Sequence, residues 1–140
     1  HKRSDKQIET VKKRYSEALN GASITNNSIK RWFSESYLKN NPQVYNFFYN
    51  LLEKKKNKDF LSAYKIFVNS DNYSLNFNNF KMPTLIMTGE NEVGSTPEMS
   101  EEISKEIKGS ILYIIKNAKH GATIEQSDDV NKKLNKFLFS

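Results

Sequence analysis

Only two stretches of this 140-residue chain read as β-strands, and that scarcity limits its folds more than any other feature. They are Thr84-Leu85-Ile86-Met87-Thr88 and Ile111-Leu112-Tyr113-Ile114-Ile115. Between them lies a helix signal. Ser95 or Thr96 serves as cap, Pro97 and Glu98 occupy the first turn, Ile103 and Ile107 face one way, and Gly109 ends the helix. Two strands joined through a helix run parallel with a right-handed crossover. The second run is apolar without alternation, the pattern of a strand buried on both faces. Purely parallel sheets are covered on both sides, so two such strands do not complete a sheet. The remaining sheet has to come from residues outside this chain or from another chain. The expected class is α/β.

The second strand leads into a loop carrying His120-Gly121. A closing helix follows, capped by Ser127, with Asp128 and Asp129 in its first turn and an apolar face of Val130, Leu134, Phe137 and Leu138. The earlier residues read as helical instead. Ile8, Val11, Tyr15, Ala18 and Leu19 recur at helical spacing after a cap at Ser4 or Asp5, with Gly21 as the stop. Asn26 or Asn27 caps a segment with Ile29, Trp32 and Phe33. Asn41-Pro42 opens a helix with the stripe Val44, Phe47, Phe48, Leu51 and Leu52. Asp59 caps a segment bearing Phe60, Ala63, Tyr64 and Phe67, and a polar loop extends from Asn69 to Asn79. A boundary falls near Lys81-Met82-Pro83 and divides the chain into residues 1–81 and 82–140.

Charge shifts at the same boundary. Residues 1–81 hold 15 Lys/Arg and 7 Asp/Glu, whereas residues 82–140 hold 7 and 9. A basic, aromatic-rich half raises the possibility of nucleic-acid binding. Against it, only 3 of the 22 basic residues are Arg, the side chain best shaped to fork onto bases and phosphates, and Asn occurs 17 times. The excess therefore reads as lysine usage at surface positions, and no nucleic-acid partner is expected. Lys54-Lys55-Lys56 reads as the solvated end of a helix. Leu, Ile, Val and Phe supply 35 of the 140 residues, enough to fold but with a thin core. Cysteine is absent, which excludes a disulfide scaffold, a thiolate metal site and a cysteine nucleophile. No apolar run reaches the ~18 residues of a membrane span, and no signal peptide is visible. The expected compartment is cytoplasmic, with no membrane partner, no metal and no cofactor.

Sites in open α/β sheets form beyond the carboxyl ends of the strands. Glu92 lies just past the first strand and His120 just past the second, so parallel pairing brings both to one edge. A carboxylate that orients an imidazole and stabilises its protonated form supplies two parts of an acid–His–Ser relay. At these residues the chain resembles the α/β-hydrolase superfamily. Residues 82–92 (MPTLIMTGENE) followed by Ser95-Thr96-Pro97 resemble its penultimate strand and acid loop. Asn117-Ala118-Lys119-His120-Gly121, followed by Glu125-Gln126, resembles its histidine loop and closing helix. Arg31-Trp32-Phe33, Pro42 and residues 63–71 resemble the lid of the enol-lactonase and carboxylesterase branch, such as 3-oxoadipate enol-lactonase.

The resemblance implies the C-terminal portion of an α/β-hydrolase fold: the last two parallel strands with flanking helices, preceded by a helical lid over 1–81. It implies His120 as general base and acid and Glu92 as the acid, at a position where the superfamily usually has Asp. Glu90 serves only if its loop rearranges. Trp32 and Phe33 are expected to line the acyl pocket for a small-molecule ester or lactone. The superfamily's nucleophile sits in a G-x-S-x-G elbow, and no such pentapeptide occurs here. Gly94-Ser95 and Gly109-Ser110 lack the flanking glycines. The chain is therefore expected to be a fragment without the N-terminal half of the fold, inactive by itself. Two other readings stand beside this one: a relative that has lost catalysis, and a basic helical interaction module.

Overall fold

The computed structural model describes residues 3–54, 57–73 and 75–139. Five helices come first: α1 (Asp5–Leu19), α2 (Thr25–Trp32), α3 (Glu35–Asn40), α4 (Pro42–Glu53) and α5 (Asn57–Val68). Single 3₁₀ turns at Ser70–Asn72 and Phe77–Asn79 lead to β1 (Leu85–Gly89). Then come α6 (Pro97–Glu106), β2 (Ile111–Ile115), α7 (Ala122–Glu125) and α8 (Ser127–Leu138).

The local chemistry explains most of these limits. Ser4 caps α1 in a reciprocal capping box with Gln7, and Gly21 beyond its end adopts a left-handed φ of 85°. Of the two caps expected for α6, Thr96 is the one used, accepting a hydrogen bond from the Met99 amide. Pro42 opens α4 at a position where its missing N–H is not needed. Other expected starts shift. α2 begins at Thr25, so Asn26 and Asn27 lie inside it, and the Ser23 hydroxyl meets the Thr25 amide instead. α5 begins at Asn57, which puts Asp59 in its first turn. Ser127 is the first residue of α8 rather than its cap. The four-residue α7 and six-residue α3 are too short to present a periodic apolar pattern. Lys54 ends α4, while Lys55 and Lys56 lie outside the described residues.

The chain forms two compact units that interleave along the sequence. One joins Lys30–Asn40 to Asn76–Ser140; the other combines Lys2–Ile29 with Asn41–Leu75. In the first unit β1 and β2 pair in parallel, Leu85 opposite Ile111 through Gly89 opposite Ile115. This is the sheet that the two apolar runs require, shifted by one residue at β1. α6 crosses between the strands and packs on both. Ile115, Ala118, Ala122 and Val130 form the buried centre, with Met87, Tyr113 and Leu134 against it. Only Ile115 of the second strand is fully buried, and Ile111 is 54% exposed. Two strands and their helices thus leave an all-apolar strand partly uncovered.

In the second unit α1 packs on α5. Tyr15 meets Tyr64 edge-on at 5.8 Å, and Tyr64 stacks on Phe67. Arg3 closes this pair of helices. Its guanidinium bonds Asp71 and the Phe67 carbonyl and lies over the Phe67 ring. Among the described residues no helix is long and apolar enough to cross a membrane.

Candidate active site

All the groups of the site belong to the first unit, and the ends of β1 and β2 place them. Beyond β1 the chain is laced to the loop after β2. The Glu90 amide donates to the Ile115 carbonyl and the Asn91 amide to the Ala118 carbonyl, both at 2.8 Å. Gly89 makes this approach possible, because a Cβ there would fall on the Lys119 carbonyl oxygen and within 2.5 Å of the Ala118 oxygen. Its φ is not left-handed, so the requirement is one of space alone.

Glu90 is committed to this lacing. It accepts from the Lys116 ammonium at 2.8 Å and from the amide of Asn117, a residue with φ of 54°. Lys116 and the Asn117 amide hold its carboxyl below the ordinary range. The next acid along has a different partner. Glu92 is 5% exposed, and its Oε2 lies 2.5 Å from His120 Nδ1. Its other oxygen, Oε1, accepts from the Gly94 amide at 2.6 Å.

Burial opposes the charge on Glu92. The hydrogen bond from His120, the Gly94 amide and the nearby positive charge of Arg31 outweigh that penalty and hold its carboxyl below the ordinary value of 4.5. A carboxyl depressed in the folded state stabilises the fold above its unfolded value. That contribution is lost as pH falls through the folded value. Thermal unfolding between pH 3 and 6 (roughly the carboxylate range) should therefore show wild-type stability falling on acidification below about 4.5. Glu92→Gln should flatten that decline, and an equally steep decline in the variant would contradict the assignment.

The His120 side chain is 49% exposed while its partner is buried. A neutral imidazole that donates from Nδ1 to a carboxylate keeps its lone pair on Nε2. The pair therefore offers a base to a neighbouring group from a half-exposed ring whose orientation is fixed by a buried acid.

Trp32 and Phe33 lie against the histidine loop. The Trp32 carbonyl accepts from the Gly121 amide at 2.6 Å. Phe33 is 1% exposed, stacks on Tyr37 at 5.9 Å, and packs so closely on Gly121 that a Cβ there would come within 2.8 Å of its ring. Glu125, quoted in the sequence only as part of a motif, is 8% exposed and takes the amides of Ser34 and Lys119 at 2.6 and 2.7 Å. Its position just before the closing helix says nothing of those amides, which lie 6 and 91 residues earlier in the chain. Among the described residues no group of three or more His, Asp or Glu side chains is arranged to hold a metal ion.

No protein-family model matches the chain. Among curated proteins it is similar to proline iminopeptidase PfmaB of Pestalotiopsis fici, with 33% identity over 66 residues, 47% of this chain and 24% of that protein. It is also similar to (E)-2-((N-methylformamido)methylene)succinate hydrolase of Acinetobacter baylyi, with 24% identity over 140 residues, 99% of this chain and 52% of that protein. Three solved structures share the fold. The enol-lactonase from Burkholderia xenovorans LB400 has a TM-score of 0.83 at 21% identity, over 94% of this chain and 51% of its own. The thermophilic esterase from Thermogutta terrifontis has 0.76 at 21%, over 99% and 52%. The bromoperoxidase from Bacillus anthracis has 0.74 at 20%, over 97% and 49%. The chain spans about half the length of these structures, and about a quarter and a half of the curated relatives. With two parallel strands, the helices around them and an acid and a histidine at their ends, the chain has the fold of the C-terminal part of an α/β-hydrolase and resembles its enol-lactonase-like members.

Proposed function

We propose that this chain supplies the acid and the histidine of an acid–His–Ser relay in a hydrolase acting on carboxylic esters or lactones. The observation that carries this reading is the 2.5 Å contact between His120 Nδ1 and a buried Glu92 at the ends of adjacent parallel strands. In the proposed reaction a serine attacks the acyl carbon while His120 Nε2 takes its proton. The protonated ring is stabilised by Glu92 and returns the proton to the leaving alkoxide. Water, activated by the same nitrogen, then releases the acyl enzyme. Glutamate in place of aspartate is compatible with this role, because the longer side chain already reaches the imidazole and anchors on the Gly94 amide. An enol-lactonase and an esterase among the structural relatives favour the ester and lactone class.

The nucleophile and the oxyanion donors belong, in this reading, to sequence that the 140 residues do not include. No G-x-S-x-G elbow is present, and the relatives are about twice as long where the match is full. Residues 1–81 act as the lid, and Trp32 and Phe33 shape the acyl side of the site through the histidine loop. The test is a paired one. The 140-residue chain should hydrolyse p-nitrophenyl acetate no faster than its His120→Ala variant, and a fluorophosphonate probe should leave it unlabelled. Histidine-dependent labelling of a serine within the chain would overturn the placement of the nucleophile.

A further inference from the structure

We infer that Glu125 is the positioning residue of the histidine loop, holding His120 in register with Glu92. This inference rests on the relay reading of that pair. Glu125 closes the single turn of α7, five residues past His120, and its buried carboxylate is divided between two backbone amides. Oε2 accepts from Lys119, the residue before the histidine, and Oε1 accepts from Ser34 at the corner between α2 and α3. The Ala118–Lys119 peptide is thereby gripped on both sides. Its N–H donates to Glu125, and its carbonyl accepts from Asn91 in the acid loop. One peptide group thus links Glu125 to the loop that carries Glu92.

The corner at residues 32–34 completes the grip on the other side of the histidine. The Gly121 amide donates to the Trp32 carbonyl, and the Phe33 ring fills the space above Gly121. Tyr37 adds a bond from its hydroxyl to the Ile124 carbonyl at 3.3 Å. His120 is the residue between the two held amides, and its own half-exposed side chain has Glu92 as its hydrogen-bonding partner. A buried carboxylate is costly unless its oxygens are matched by donors. Here both donors are amides whose positions determine where the imidazole sits. Neither is a cation that would merely neutralise it.

The experiment follows the Nδ1 proton of His120 by NMR in the 140-residue chain labelled with ¹⁵N-histidine, with His120→Ala to assign it apart from His1. In the wild type a downfield Nδ1 proton should be present, and Glu92→Gln should abolish it. In Glu125→Gln one acceptor remains, but an amide NH₂ faces the second N–H. The spectrum of a folded chain should persist, with the Nδ1 proton exchanging with water about tenfold faster, as expected for losing one charge-assisted hydrogen bond. If the wild type shows no Glu92-dependent proton, the relay pair and the positioning role both fall. If that proton is present and Glu125→Gln leaves its exchange unchanged, the positioning role alone falls. If Glu125→Gln and Glu125→Ala both lose the folded spectrum, the carboxylate holds the fold and not the ring, which also overturns the inference.

Discussion

Gly89→Ala should destabilise the strand unit by about 3 kcal/mol, the upper end of the usual penalty for forcing extra atoms into a packed site. The added Cβ would meet backbone rather than a side chain that can swing aside. It falls on the Lys119 carbonyl oxygen and lies 2.5 Å from the Ala118 oxygen and 2.8 Å from the Ala118 carbonyl carbon. Relief requires the histidine loop to move away from β1, which breaks the Asn91 to Ala118 bond. Gly109→Ala is the matched control. Gly109 has a left-handed φ of 81° and nothing within 4 Å of a would-be Cβ, so only about 1–2 kcal/mol of backbone strain is expected. Urea unfolding of the three proteins gives the comparison. A Gly109 variant less stable than the Gly89 variant would show that the close approach of the two loops is wrong.

In a hydrolase that contains this chain, Glu92→Gln should lower kcat by about 10⁴, the scale on which a relay suffers when its acid loses charge and the imidazole takes the wrong tautomer. His120→Ala should go further, to about 10⁶, because the base itself is removed. Glu92→Asp separates a tuned glutamate from a tolerated one. Shortening the side chain withdraws the carboxylate by about 1.5 Å, one carbon–carbon bond. A displacement of that size in a catalytic constellation costs about 100-fold. Steady-state kinetics on a p-nitrophenyl ester would read all three. Full activity in Glu92→Gln would remove Glu92 from the relay, and an aspartate variant faster than wild type would show that this loop is built for the shorter acid.

The pair of strands, their parallel pairing and the meeting of Glu92 with His120 were legible because each depends on short local signals. An apolar run, a helix and a second apolar run admit one connection, and that connection puts both following loops at one edge. The choice of Glu92 over Glu90 came from the resemblance to the acid loop, and in the structure Glu90 is occupied by Lys116 and the Asn117 amide. What stayed hidden was whatever depends on two distant backbone segments meeting. Glu125 accepts from Ser34, 91 residues away, and no spacing rule announces a carboxylate that binds amides rather than a charged side chain. Phe33 reads from the resemblance as a ring of the acyl pocket, and no spacing announces that its neighbour is Gly121, whose missing side chain makes room for it. Helix starts were misjudged where hydroxyl and amide caps compete. Thr25 begins α2 because Ser23 meets its amide, while its own hydroxyl donates to Glu53.

The interleaving of the two units has a consequence for modularity. A cap that was a simple insertion could be exchanged between enzymes by recombination at its two ends. Here Lys30–Asn40 lies between two segments of the helical unit yet belongs to the unit that holds the strands. That segment carries the Trp32 carbonyl and Ser34 amide that hold the histidine loop. In the proposed lid reading, replacing the whole of residues 1–81 with a foreign cap would also remove those two contacts. A viable chimera would have to retain residues 30–40, so the heritable cassette is two separate pieces of chain rather than one.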